Sequence, residues 1–544
     1  SSHLESSQHL EDCGWQCQVL SAAMAIARCA LITFALIGIA CVEGGLRQPN
    51  ILFIYLDQWR WDWAGFDSVA LRVPHMAALA AAGTRFSHCY TPAPLCQPAR
   101  AAMAAGLEYD ASPLQGNGGE YPVDGNYPTY FQQLQASGYH VMLAGKDHLS
   151  MPVGTNGSMN AEALGFDDWE RTGDKYEIFK PSEPEDQFTF ELLKQNFTLY
   201  DEMRSCYGAG GQGTCCETIP NLDSENGVWC PLTQPEGPVE MAFPDDWAEA
   251  KAEELVGRAP AGKPWFMQVG FPGPHPPFIL TEAMNRSIGD RSYPMPLAST
   301  NPSLSPEQHQ GIRRQYAAQI ENLDRLVGKL LHYLQAADLL NDTVVALSAD
   351  HGELLGDYNM FAKRAPWDGS SRVPLTFMGP GIAQGRVVRK PVTTLDIIGT
   401  FLDLAGAIPV GNMSVQSLAS SLSVDVEVAP ARNHILSGIN ADSGVTGSWA
   451  DWRMVVKQIG DGSVMKLVCC LSGCEYIGGN GTIFPEPSSA QLALFNVSEG
   501  SVIEENIIGA LGMTNVAAEL VELLPAGHTA SCKELLPSPP LLLL

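Results

Sequence analysis

The sequence predicts an α/β sandwich, a central mostly parallel sheet with helices on both sides, followed by a small α+β unit. Three observations predict it. Four short apolar runs, "NILFIYLDQ" (50–58), "HVMLAGKDH" (140–148), "PWFMQVGFPGPH" (264–275) and "TVVALSADH" (343–351), each break off in polar residues. Helical stretches separate those runs. Beyond about residue 410 the pattern turns Ser-, Val- and Gly-rich and then gives way to short strands.

Each element follows from its own pattern. Near-continuous apolar runs of this length suit strands buried on both faces of a parallel sheet. Between them lie "YFQQLQASG" (130–138) and the stretch Gln315–Ala337. In the latter Tyr316, Ile320, Leu323, Val327, Leu330, Leu331 and Leu334 fall on one helix face. Alternation of strand and helix produces a layered α/β architecture. "SRVPLTFMGPG" (371–381) and "TLDIIGTFLDLAG" (394–406) extend it by a strand and a helix. "RMVVKQIGDGSVMKLVCC" (453–470) reads as a hairpin and "QLALFNVSEG" (491–500) as a further strand. The expected organisation is an N-terminal extension at 1–47, a main domain at 48–424 with an acidic, Cys-bearing insertion at about 167–246, a small domain at 425–535, and a tail at 536–544.

Composition narrows the partners. A net charge of −28 and a pI near 4.7 argue against nucleic acid, because phosphate binding needs clustered Lys and Arg. Residues 19–42 are almost wholly apolar and broken only by Arg28. Read from Met24, "MAIAR" is a basic n-region, "CALITFALIGIA" an apolar core, and Gly38, Ala40 and Cys41 suit cleavage. A signal peptide at about 24–41 is expected; membrane attachment follows only if 19–42 stays as an uncleaved anchor. Sequons at Asn156, Asn196, Asn285, Asn341, Asn412, Asn480 and Asn496 agree with passage through the secretory pathway, to the outside or to a lysosome-like compartment. Cys206, Cys215, Cys216 and Cys230 form one cluster, and Cys469, Cys470, Cys474 and Cys532 another. In an oxidising compartment these are two local disulfide groups of unreadable connectivity. Cys89 reads as a small buried apolar residue. Cys96 is left over.

The ends of the four runs carry the chemistry. Open α/β sheets place ligands at the carboxyl ends of their strands. Those ends hold Asp57-Gln58, Lys146-Asp147-His148, His275 and Asp350-His351. Asp57 and Asp350, with a Gln58 carbonyl, suit a hard divalent cation, although carboxylates after strands also serve as helix caps. His351 is an unusual Ca²⁺ ligand and so reaches the metal weakly or faces substrate.

Cys96 opens "CQPARAAMAAG" (96–106), which resembles the sulfatase signature, C-x-P-x-R followed by a small-residue helix and Gly. The neighbouring segments resemble that family in order: "NILFIYLDQWRWD", "VPHMAALAAAGTRFSHCYTPAPLC", "GYHVMLAGKDHL", "GPHPPF" and "SADHGELLGDYNMFAKRAPWDGSSRVPL". The resemblance spans about residues 48–406. It implies an alkaline-phosphatase-like fold, with 48–424 as the catalytic domain, and a sulfuric ester hydrolase of the arylsulfatase type. It also implies that a formylglycine-generating enzyme oxidises Cys96 to formylglycine, whose hydrate is the nucleophile. By position, Arg100 holds that hydrate, and Lys146 and His148 contact it, with His148 as the proton acceptor when sulfate leaves. His275 and Lys363 grip the sulfate of a small-molecule or carbohydrate ester and protonate the leaving group. Asp57, Gln58, Asp350, His351 and residue 96 hold the cation, most simply Ca²⁺, with Mg²⁺ or Mn²⁺ as alternatives.

Departures from the family pattern are Gln58 where a second Asp is frequent, Ala99 for Ser, Val141 for Thr and Asp147 for Trp. The Asp-Gln and Asp-His pairs with "GKDHL" look nearer the choline-sulfatase and phosphonate-monoester-hydrolase side. A phosphonate or phosphate ester hydrolase, and a non-catalytic secreted glycoprotein that keeps the fold, are the competing readings.

Overall fold

The computed structural model describes residues 48–65, 69–149, 158–173, 186–195, 243–297, 304–424, 429–440, 450–472, 491–498 and 504–537, with short pieces at 175, 217–218, 228–229, 476–477 and 483–484. The expected signal peptide and anchor (24–41, 19–42), Asn156, Asn196, Asn480, Cys206, Cys215, Cys216, Cys230, Cys474, much of the 167–246 insertion and residues 538–544 of the tail lie outside them.

The larger sheet is built from β1 (Asn50–Asp57), β2 (Thr84–Tyr90), β3 (His140–Gly145), β4 (Asp168–Arg171), β5 (Trp265–Pro274), β6 (Thr343–Ala349), β7 (Arg372–Met378), β8 (Arg386–Val388) and β9 (Val392–Thr393). Its order is β8-β2-β7-β6-β1-β5-β3-β4, with β9 also on β2. Only β7 runs antiparallel to its neighbours β2 and β6; the other pairings are parallel. The four apolar runs of the sequence become the adjacent strands β6, β1, β5 and β3. Every residue of β1, β5 and β6 is buried. Since side chains alternate between faces, helices must cover both.

Two helix groups do so. Helices α1 (Pro74–Ala81) and α4 (Pro244–Arg258) each pack on α5 (Pro306–Ala336); α2 (Cys96–Ala105), α3 (Tyr130–Ala136) and α6 (Leu395–Leu404) form the second group. Helix α5 begins nine residues before the expected Gln315. Ser305 accepts from the Gln308 amide while Gln308 reaches back, and Pro306 occupies the first turn. This capping box fixes the start where the apolar stripe alone does not. The stripe itself is buried, with Leu331 half-buried.

The C-terminal strands β10 (Ile435–Ile439), β11 (Asp451–Gln458), β12 (Val464–Ser472) and β13 (Gln491–Asn496) form an antiparallel sheet in that order. Helices α7 (Met513–Val521) and α8 (Ala526–Glu534) cover one face, where Cys469 and Cys532 are disulfide-bonded. Its other face shares a core with the larger sheet's edge: Trp452, Met454 and Phe495 pack among Tyr90, Leu95 and Trp367. Both sheets belong to one compact unit, Pro49–Leu544. Among the described residues no helix is long and apolar enough to cross a membrane.

His88 ties the two sheets together. Its Nε2 donates to the Val497 carbonyl at 2.9 Å, and Nδ1 meets the Ser87 hydroxyl at 2.9 Å. Burial, helped by Arg372, pushes its pKa down to about 4. The unfolded chain protonates this imidazole near pH 6.5. The stability involved is therefore complete above about pH 6.5 and drains away as the pH falls toward 4. In denaturant unfolding, His88→Gln should shrink the stability lost between about pH 7.5 and about pH 5 by about 2 kcal/mol.

Candidate active site

Register sets the first two carboxylates side by side. Leu56 of β1 pairs with Ala349 of β6, so the next residues, Asp57 and Asp350, leave the sheet together. Both are fully buried. Gln58 follows in the left-handed region, φ 66°, its amide donating to Asp350 Oδ1 at 3.0 Å. From α5, the Tyr316 hydroxyl donates to the Gln58 carbonyl at 2.7 Å and accepts from the Arg60 amide at 3.0 Å.

Lys146 reaches the same edge from β3. Gly145 pairs with Gly270 at φ 90°, and a Cβ on it would stand 2.1 Å from the Gly270 carbonyl oxygen. Only glycine allows this turn, after which the Lys146 amide donates to Gly270 at 2.7 Å. The Lys146 ammonium pairs with Asp57 Oδ2. His148 comes two residues later, half-buried, with φ 53°. Its Cα is at most about 7.6 Å from that of Lys146.

Helix α2 supplies Cys96 at its first position and Arg100 one turn on, the same side of the helix. Every residue of α2 is buried, and its alanines keep the helix slim where it passes α3 and α6. The Gln97 amide is capped by Asn117 Oδ1 at 3.1 Å. Arg100 forks across both strands, Nε to Asp350 Oδ2 at 2.9 Å and Nη2 to Asp57 Oδ2 at 3.2 Å, over the Tyr55 ring. Burial opposes the guanidinium charge, but Asp350 and Asp57 outweigh it and raise its pKa. For Asp57, burial pushes up while Lys146, His275, Arg100 and Lys363 pull harder; its carboxyl sits well below the usual range.

Cys96 is a free, buried thiol. Its Sγ lies 2.9 Å from Lys363 Nζ, 3.1 Å from His351 Nε2 and 3.9 Å from Asp57 Oδ1. Lys363 also donates to Gln58 Oε1 at 2.6 Å and meets His275 Nε2 at 2.9 Å. Its three N–H bonds thus have three acceptors. His275 Nδ1 donates to the Pro276 carbonyl at 2.6 Å, which leaves the Nε2 lone pair toward Lys363. The contacts join Asp57, Gln58, Cys96, Arg100, Lys146, His275, Asp350, His351 and Lys363 into one cluster; His148 stands beside Lys146.

The donor set fits a divalent cation. Ligand atoms of Asp57, Cys96, Asp350 and His351 lie within 4.8 Å of one another, all buried. Each aspartate turns Oδ2 to the protein's own cations, while Oδ1 faces His351, at 4.0 Å from Asp57 and 3.7 Å from Asp350. Burial pushes the His351 pKa down to about 4, and its Nδ1 donates to the Gly352 carbonyl at 3.0 Å. The imidazole is neutral with Nε2 open, the state in which histidine binds metal.

The sequence profile of the family named Sulfatase matches residues 49–407. The chain belongs to the sulfatase family. It is 30% identical over 383 residues to a choline-sulfatase of Rhizobium meliloti, covering 66% of this chain and 68% of the relative. An arylsulfatase of Clostridium perfringens is 25% identical over 384 residues, 66% of this chain and 75% of that one. The crystal structure of a phosphonate monoester hydrolase of Agrobacterium radiobacter superposes with a TM-score of 0.66 at 20% identity, across 87% of this chain and 94% of that one. That likeness establishes the alkaline-phosphatase-like fold expected from the sequence.

Two residues of this sulfatase's site escaped the sequence reading. Glu353, buried two residues past His351, accepts from the Gln58 side-chain amide and so turns Gln58 Oε1 toward Lys363. Its place in "SADHGE" was the available signal. The sequence presents Tyr316 only as part of an apolar stripe, and nothing in the stripe signals the role of its hydroxyl.

The paired charges give a stability test. Asp57→Asn leaves Lys146 and Arg100 without their shared carboxylate and should cost about 3 kcal/mol in urea unfolding of the metal-free protein. Because Lys146 is the partner, Asp57→Asn with Lys146→Met should cost clearly less than the two single changes added.

Proposed function

We propose that this sulfatase hydrolyses a sulfate monoester through formylglycine made from Cys96, assisted by a divalent cation. The observation that carries this reading is the unbridged Cys96 thiol at the meeting point of Asp57, His351 and Lys363, with Arg100 one turn away. A thiol at a helix N-terminus, among cations and carboxylates, is where an oxidised hydrate is favoured as an anion.

Hydrated formylglycine at position 96 supplies the attacking hydroxyl. Asp57, Gln58, residue 96, Asp350 and His351 would hold a divalent cation, most simply Ca²⁺ with Mg²⁺ or Mn²⁺ as alternatives, which would supply positive charge for the sulfate group. Arg100 fixes residue 96 from behind. Lys363 lies beside residue 96 and His275 beside Lys363: Lys363 donates to a sulfate oxygen, and the adjoining pair delivers a proton to the departing alcohol oxygen. Lys146, paired with Asp57, contacts the hydrate at residue 96. His148 would take the proton of the second hydroxyl of residue 96 as the carbon–oxygen bond to sulfate breaks, which returns the aldehyde for water to hydrate again.

A secretory setting accompanies this reading, with a formylglycine-generating enzyme as partner. Supporting it are the Cys469–Cys532 disulfide and the exposed sequon residues Asn285, Asn341, Asn412 and Asn496. The second reading, a phosphonate or phosphate ester hydrolase, draws on the Asp57-Gln58 pair.

Mass spectrometry of the Cys96 peptide from active protein should show the aldehyde or its hydrate; an unmodified thiol there overturns the mechanism. Cys96→Ala and Lys363→Ala should each lower kcat/KM on an aryl sulfate by at least about 100-fold, and chelation should abolish turnover until metal is restored. Faster hydrolysis of the matched aryl phosphonate than of the sulfate would favour the second reading.

A further inference from the structure

Lys363 arrives on a loop whose backbone is strained. Leu355, Tyr358, Asn359, Ala362 and Arg364 have φ of 52°, 56°, 60°, 63° and 82°. Non-glycine residues in the left-handed region cost roughly 1 kcal/mol or more each, and they persist only where the surroundings enforce them. Five of them within ten residues therefore require an external hold.

The first half of the loop is held by Arg60 and Arg313, which donate to the Leu354 and Leu355 carbonyls at 3.1 and 2.9 Å and pair with Asp357, and by the Leu297 carbonyl, which accepts from the Tyr358 amide at 2.8 Å. Nearer Lys363 the hold comes from two directions. From inside, Glu353 Oε1 accepts from the amides of Leu355 (2.9 Å) and Ala362 (2.6 Å), and the Leu354 amide closes the base on the Ala362 carbonyl at 2.8 Å. From outside, it is the C-terminal sheet. Trp452 of β11 donates its indole N–H to the Arg364 carbonyl at 2.8 Å. Lys466 of β12 donates to the Pro366 carbonyl at 3.0 Å and to Asp368 Oδ1 at 2.8 Å, and pairs with Glu504. Glu504 in turn accepts from the Asp368 amide at 2.6 Å. Trp367 is stacked on Tyr358 at 4.2 Å, with Phe495 of β13 at its edge. Trp452 and Lys466 are fully buried. The Arg364 amide meanwhile donates to the Pro94 carbonyl at 3.0 Å, two residues before Cys96.

The residues on either side of Lys363 are thus fixed, Ala362 by Glu353 and Arg364 by Trp452 and Pro94. We propose that Trp452 and Lys466 are positioning residues for Lys363, holding its left-handed loop so that Nζ stays between Cys96, Gln58 and His275. On this basis the C-terminal sheet completes the active site without touching substrate. The inference rests on the proposed function for its catalytic consequence, and on the loop geometry for its structural one.

The test uses the full chain with Trp452→Phe, which keeps an aromatic ring and removes the N–H, and Lys466→Met, with Lys466→Arg as the conservative rescue. Hydrogen exchange across residues 355–364 and steady-state kinetics on an aryl sulfate are measured together. Trp452→Phe and Lys466→Met should speed exchange in that loop and lower kcat about tenfold, with KM changed less than about twofold. Lys466→Arg should recover most of kcat. Unchanged loop exchange overturns the proposal, and so does a lower melting temperature with kcat intact, the signature of a structural role only. If the parent protein hydrolyses no sulfate ester, the sulfate reading fails, while faster exchange confined to 355–364 in the variants still upholds the positioning role.

Discussion

Three carboxylates and three cationic side chains meet in the dry interior at one edge of the sheet: Asp57, Asp350 and Glu353 with Arg100, Lys146 and Lys363. A single charge left alone there would cost several kcal/mol, so none of the six is independent of the others. Their balance depends on strand register. Leu56 against Ala349 and Gly145 against Gly270 bring Asp57, Asp350 and Lys146 out together, and a one-residue slip would send each side chain to the wrong face. The slim α2 helix then lowers Arg100 onto both aspartates.

This balance also determines what remains reactive. With their Oδ2 atoms taken by Arg100 and Lys146, the aspartates present Oδ1 toward residue 96 and the open nitrogen of His351. The protein's own charges cancel within the cluster. On the proposed function, the two positive charges of a cation would be balanced by the hydrate anion at residue 96 and the single negative charge of a monoester. A sulfate monoester and a phosphonate monoester carry the same single charge, which is why charge alone does not separate the two readings.

The sequence made the strands and their polar ends legible because both are local: a buried strand shows as an apolar run and stops where its polar residues begin. It also made Cys96 and Arg100 legible, one helical turn apart. What it hid is long-range. Glu353 meets Gln58 across 295 residues and Trp452 meets Arg364 across 88, and no spacing rule connects them. The strained loop was invisible for another reason. Leu, Tyr, Asn, Ala and Arg occupy positions where glycine would have announced a left-handed backbone. The start of α5 was the opposite case, since "SPEQ" at 305–308 spells a capping box that the apolar stripe overshadowed.

The contrast between strand and loop has a mechanistic consequence. Asp57, Asp350 and Lys146 sit at the ends of strands buried on both faces and paired with neighbours, so their positions vary little. Lys363 has no such support; its place among Cys96, Gln58 and His275 is bought with backbone strain that other contacts must offset. A glycine-rich loop would reach the same point without strain, but it would also reach many others. On the proposed function, non-glycine residues held in a single enforced conformation would give a lysine already aimed before substrate arrives, and pre-aimed donors stabilise a transition state without further reorganisation. The C-terminal sheet belongs to that arrangement, its indole and its buried ammonium adding to the hold that Glu353, Pro94, Arg60 and Arg313 exert on the loop.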